Sequence, residues 1–163
     1  MKRVLMIGML TSLLSGCYES EVPCDVSDKL LCVYAENGIT KSQIELAAIY
    51  YEGDYSKPDY NKAFYWGEKA ALSGDVDAQT MIGEMYYRGK GVEQDYSKAF
   101  HWFTEADKQG DDFAKEMLGV MYYDGRGVDE NETLAYEYFK KACAAGRPFS
   151  CSRYNNSKEI NLK

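Results

Sequence analysis

The residues best placed to do chemistry are five cysteines, Cys17, Cys24, Cys32, Cys143 and Cys151. Thiols can bridge, bind a metal or attack a substrate. Neither Cys24 with Cys32 nor Cys143 with Cys151 has the short C-x₂₋₄-C spacing of a zinc site, so no metal is expected. Both pairs share one spacing, which favours two local disulfides, although four cysteines allow three pairings. A continuous helix from Cys24 to Cys32 would hold their Cα atoms about 12 Å apart, beyond bridging range. The chain must therefore turn back near Asp25 to Ser27 if those two are joined.

A catalytic site needs a converging set of groups, and few are on offer. His101 is the only histidine. Tyr65 and Glu137 stand 36 positions to either side of it, so it reads as one residue of a solvated helix face. Asp111-Asp112 and Asp129-Glu130 are paired carboxylates near helix starts, where anions suit the helix dipole. Gly89-Lys90-Gly91 and Gly125-Arg126-Gly127 lack the strand, the length and the Ser or Thr of a phosphate loop. The expectation is a non-enzyme with no cofactor.

The residue type in excess is tyrosine, with 15 in the chain. Tyr51, Tyr87 and Tyr123 each follow a tyrosine on the apolar face of a helix and point about 100° away from it. With Glu84 they form a candidate protein-binding set, since tyrosine contributes a rigid ring and a hydroxyl at interfaces. The alternative is that each packs against the next structural unit.

The elements that position these residues follow from a shift of 36. Trp66, Trp102 and Tyr138 coincide, as do Tyr50, Tyr86 and Tyr122, Ala63, Ala99 and Ala135, and Gly74, Gly110 and Gly146. So many matches without an insertion identify a repeat array. In the middle copy, Ala78, Met81, Ile82, Met85 and Tyr86 mark the buried face of a first helix, A. Small Gly83, with Ala47 and Gly119 as equivalents, lets a facing helix approach. Gly89 and Gly91 turn the chain, and Asp95, matched by Asp59 and Asn131, caps a second helix, B. Ala99, Trp102, Phe103 and Ala106 are expected to face inward there, with Trp102 in the core. Tyr55 and Ser56 replace the Gly-Val of this loop in the first copy.

The expected fold is all-α: a right-handed α-solenoid of about three helix-loop-helix repeats, 41–74, 75–110 and 111–146, with a half-repeat at each end. The half-repeat 28–38 is a lone helix B capped by Ser27, with Leu30, Leu31 and Tyr34 at helical spacing. A closing helix spans 147–155, and 156–163 is a frayed tail. The solenoid thus covers 28–155.

Residues 1–16 read as an export signal: Lys2 and Arg3, a short apolar run from Val4 to Leu14, then small residues. That run is well below the roughly 20 residues of a membrane-spanning helix. Residues 17–27 form the tether. Removal of the leader moves the net charge from −7 to −9, which disfavours nucleic acid and suits a basic cleft on a protein partner.

Two resemblances sharpen this reading. Leu14-Ser15-Gly16-Cys17 resembles a bacterial lipobox, which implies lipid on Cys17 and, with Tyr18 following, the periplasmic side of the outer membrane. Several acyl chains make a lasting anchor. Ala78, Ile82-Gly83, Tyr86, Gly89-x-Gly91-Val92, Asp95, Lys98-Ala99, Trp102, Ala106 and Gly110 resemble the Sel-one-like repeat (SLR) motif, related to the tetratricopeptide repeat. Ala142-Cys143 with Gly146 and Cys151 is similar to cysteine-rich members, whose paired cysteines bridge helix B to the next helix A. The first and middle repeats lack them, having Ala71 with Gln79 and Asp107 with Lys115.

The resemblance implies a binding scaffold. Some small exported relatives are immunity proteins against antibacterial effectors such as phospholipases, and others are envelope or host-interaction adaptors. Cysteine-rich relatives are also associated with penicillin binding and weak β-lactamase activity, for which this chain shows no serine motif. A toxic effector acting in the periplasm is the expected partner.

Replacing Cys17 by Ser is expected to abolish acylation and move the protein from the membrane to the soluble fraction. Continued sedimentation with membranes would place the anchor elsewhere.

Overall fold

The structure, a computed structural model, describes residues 29–53 and 57–160. The leader, Cys17, Cys24, the Ser27 cap and the Tyr55-Ser56 loop lie outside the described residues.

Eight helices and no strand occur among the described residues: α1 (Lys29–Glu36), α2 (Thr40–Glu52), α3 (Tyr60–Leu72), α4 (Val76–Arg88), α5 (Tyr96–Lys108), α6 (Asp112–Asp124), α7 (Glu132–Ala144) and α8 (Pro148–Ile160). Helices α2, α4 and α6 are the A helices of three repeats, and α3, α5 and α7 are their B helices. Each packs on its neighbours in sequence, as an α-solenoid requires. α1 is a lone helix B and α8 a lone helix A.

Capping explains where the helices begin. Asp59, Asp95 and Asn131 accept from the backbone N–H of Lys62, Lys98 and Leu134, at the start of each B helix. Asp75 and Asp111 do the same for Ala78 and Ala114 at the start of α4 and α6. Each satisfies a donor that a helix start leaves unpaired, typically worth about 1 kcal/mol.

The core lies between the A and B rows. Ala78, Ile82, Met85 and Tyr86 are buried on α4, as expected, while Met81 is only partly covered. On α5 the buried residues are Ala99, Phe103 and Ala106. Trp102 is half-buried, which corrects its expected place in the core. The reason is a reciprocal fit of sizes. A Cβ on Gly83 would lie 2.9 Å from the Phe103 ring, and one on Gly119 would lie 2.8 Å from Phe139. The ring therefore occupies the space that a side chain at Gly83 would need, and Trp102, one position earlier, is left toward the surface. In the first repeat the position of Phe103 is Gly67, opposite Ala47, and Trp66 is buried instead at 2 % exposure.

Both ends differ from expectation. α1 buries Leu31, Cys32 and Ala35, whereas Leu30 and Tyr34 are 57 % and 48 % exposed. Those two stand where Trp66 and Ala70 stand in the first repeat, on a face that helix A covers there. α1 contacts only the following helix α2 among the major helix pairs. At the other end α8 continues to Ile160, beyond the stop expected near residue 155.

Phe103→Ala should cost about 3–5 kcal/mol through lost transfer energy and a cavity against Gly83. Trp102→Ala should cost clearly less. Chemical denaturation of both variants checks the order, and equal losses would contradict this core.

Candidate binding surface on the helix A row

Repeat symmetry brings equivalent residues to one side of the array. Ile44, Ala48 and Tyr51 on α2, Thr80, Glu84 and Tyr87 on α4, and Val120 and Tyr123 on α6 form a half-exposed stripe along the A row. Glu84 is its central charge, paired with Arg88 at 2.7 Å. That pair is partly exposed, so it contributes little to stability and can exchange for a partner's cation. α2, α4 and α6 each carry more acidic than basic residues, whereas α3, α5 and α7 are neutral or slightly basic. The charge of the chain is thus unevenly divided between the two rows.

The three candidate tyrosines are half-buried, and each meets a cation from further along the chain. Tyr51 packs edge-on against Tyr60, and the Lys90 ammonium donates to its hydroxyl at 3.1 Å while lying over both rings. Tyr87 and Tyr96 form the same pair one repeat on, with Arg126 donating to Tyr87 at 2.6 Å. For Tyr123 the described residues hold no fourth-repeat loop to supply a cation. Arg153 of α8 takes that place, 5.1 Å from the Tyr123 ring and 5.3 Å from Phe149. Such contacts are worth about 0.5–1 kcal/mol each at exposed sites. The hydrogen bond to Tyr51 raises the Lys90 pKa above its usual value, and the electrostatic interaction with Tyr87 raises that of Arg126. These tyrosines join repeats first. They nevertheless remain half-exposed.

The Gly-x-Gly loops explain how these cations arrive. A Cβ on Gly91 would run into the backbone carbonyl of Tyr60, and one on Gly127 into that of Tyr96. Only glycine permits this approach, and both also have positive φ, 70° and 72°. The loops read from sequence as plain turns are therefore the contact points between successive repeats.

Of the cysteines, Cys143 and Cys151 form a disulfide joining α7 to α8, with Cα atoms 4.5 Å apart. Cys32 is also disulfide-bonded, and its partner lies outside the described residues, as do Cys17 and Cys24. His101 is exposed and makes a T-shaped ring contact with Trp102 at 5.3 Å. Among the described residues no group of three or more His, Cys, Asp or Glu side chains could hold a metal. None of their helices is long and apolar enough to cross a membrane.

Sequence reasoning missed two polar features. Glu116 is buried, accepting from Arg147 at 2.6 Å and from Ser150 at 2.7 Å, which ties α8 to α6. No periodic signal marks it, because Thr80 and Ile44 are its equivalents. Tyr138 donates toward Asp107 at 3.4 Å, and burial, followed by the Asp107 charge, pushes its pKa up to about 12. The repeated Lys90 and Arg126 were a readable signal of the tyrosine contacts.

The profile described as Sel1 repeat matches residues 40–75, 76–111 and 113–146. Among solved structures, the chain is similar to c5321, a protective antigen present in uropathogenic Escherichia coli strains displaying an SLR fold. Identity is 35%, TM-score 0.72, and the match covers 76% of this chain but only 26% of that one. It is similar to a Sel1 repeat protein from Oxalobacter formigenes at 34% identity and TM-score 0.68, covering 77% of this chain and 95% of that one. Helicobacter pylori cysteine rich protein B matches at 26% identity and TM-score 0.59, covering 78% and 97%. No curated protein matches the chain.

Proposed function

The chain belongs to the Sel1 repeat family, whose helical arrays are protein-interaction scaffolds, and we propose that this one is an immunity protein. In this reading it is a non-enzymatic scaffold held by lipid on Cys17 at the periplasmic side of the outer membrane. There it binds and neutralises a secreted antibacterial effector, such as a phospholipase, that acts in the periplasm.

The observation that carries the reading is the half-exposed stripe of the A row, with Glu84 between Ala48 and Val120, on helices that each carry more acidic than basic residues. A stripe built on packed helices is already organised, so little conformational freedom is lost on binding. The acidic excess of the A helices suits a basic cleft and would speed encounter. The Cys143–Cys151 disulfide fits an oxidising compartment.

A second reading is favoured by the likeness to c5321, which is described as a protective antigen. On that basis the chain would be an envelope or host-interaction adaptor. This chain spans about a quarter of that protein, so the likeness concerns the repeats they share.

Deleting the gene in its native strain and challenging with sister cells that deliver the effector encoded beside it tests the first reading. Survival should collapse, return with the wild-type gene and return only partly with Glu84→Lys, because charge reversal slows association. Survival of the deletion strain equal to its parent would overturn the immunity reading.

A further inference from the structure

At every junction between repeats a helix B meets the helix A that follows, and two positions eight residues apart face each other across it. Between α1 and α2 the Gln43 side-chain amide donates to the Ala35 carbonyl at 3.1 Å. Between α3 and α4 Gln79 donates to the Ala71 carbonyl at 3.4 Å. Between α7 and α8 the same two positions are Cys143 and Cys151, joined covalently. Three junctions are thus fastened at one place by two chemistries.

The junction of α5 with α6 is not fastened there. Its two positions are Asp107 and Lys115. The Lys115 ammonium turns back to the start of its own helix, donating to the Gly110 carbonyl and pairing with Asp112 at 2.7 Å. Asp107 accepts from Tyr138, which lies on α7. A second tie is missing as well. Gln109 donates to the Gly74 carbonyl at 3.0 Å and to the Gln79 side chain at 2.8 Å, fastening the first repeat to the second. One repeat later its place is taken by Ala145, which has no donor on its side chain.

The opposite edge of the same junction is held as firmly as elsewhere. Arg126 bonds Tyr87, and Gly127 abuts Tyr96, just as Lys90 bonds Tyr51 and Gly91 abuts Tyr60. Between the edges lie ring contacts, Phe103 with Phe113 at 6.2 Å and Phe100 with Tyr122 at 5.5 Å. Apolar rings can slide over one another, whereas a disulfide or a directed hydrogen bond fixes separation. In a repeat array each interface contributes separately, so a missing tie acts locally.

We propose that the α5–α6 junction is a hinge built into the array, opening at Asp107 and Lys115 and pivoting on Arg126 and Gly127. Helices α1 to α5 then move as one block, and α6 to α8, fastened by the disulfide and by Glu116 with Arg147, as the other; the single 3.4 Å hydrogen bond from Tyr138 on α7 to Asp107 on α5 crosses between them and breaks on opening. The motion changes the tilt between α4 and α6, which carry Glu84 and Val120, and so lets the A-row stripe adjust its curvature to a partner.

Spin labels placed pairwise at Leu72, Lys108 and Ala144 test this. The three are exposed and equivalent in the repeat, and a non-canonical amino acid can carry the label with the disulfides intact. Pulsed dipolar spectroscopy on the purified protein should give a broader distance distribution for 108–144 than for 72–108. The double variant Asp107→Ala, Lys115→Gln reproduces the Ala71 and Gln79 chemistry and should narrow the 108–144 distribution to the width of the 72–108 pair. Lys115→Gln alone, needing only the backbone carbonyl of Asp107, should narrow it too. Equal widths in the unaltered protein, or an unchanged 108–144 width in a folded variant, would overturn the hinge.

Discussion

The spacing of the array depends on a backbone contact with no room for a side chain. Where Gly91 meets the Tyr60 carbonyl and Gly127 meets that of Tyr96, the loop of one repeat rests directly on the first turn of the preceding helix B. Once that approach is made, Lys90 and Arg126 fall within reach of the tyrosine pairs, and their charges close the contact. A chain of such contacts sets how closely each repeat approaches the next. The spacing of the A-row stripe, and of any surface it offers, is therefore set by glycines in the loops beside it.

Inside each repeat a second constraint acts, the exchange of volume between A and B helices. Gly83 faces Phe103 and Gly119 faces Phe139, while in the first repeat Ala47 faces Gly67 and Trp66 fills the core. Close-packed interiors tolerate such exchanges when the total volume is kept. The junctions show the same economy in polar chemistry, since a glutamine amide and a disulfide serve at equivalent positions. A disulfide is the stronger tie, and it holds α8, the last helix among the described residues.

The 36-residue shift made the helices, their order and most of the core legible, because helical periodicity and repeat periodicity reinforce each other at Ala78, Ile82 and Tyr86. It is ambiguous where two aromatic residues adjoin: Trp102 and Phe103 are both expected to face inward, and only Phe103 is fully buried. Equivalence also misled at α1, where Leu30 and Tyr34 occupy apolar positions whose covering helix A is not among the described residues. The candidate surface was less readable. Tyr51, Tyr87 and Tyr123 were found as a row, but their engagement by Lys90, Arg126 and Arg153 depends on how repeats stack, which spacing alone does not state. Gln43, Gln79 and Glu116 are polar residues with no apolar periodicity to mark them, and only the packing shows that they are buried.

The most direct test of the account compares Gly91→Ala with Gly110→Ala by chemical denaturation. Both glycines have positive φ, 70° and 92°, so each alanine carries backbone strain, but a Cβ at Gly110 meets nothing within 4 Å. The difference between the two losses isolates the contact with the Tyr60 carbonyl. Gly91→Ala should destabilise the protein far more than Gly110→Ala, and equal losses would contradict the claim that this glycine contact spaces the repeats.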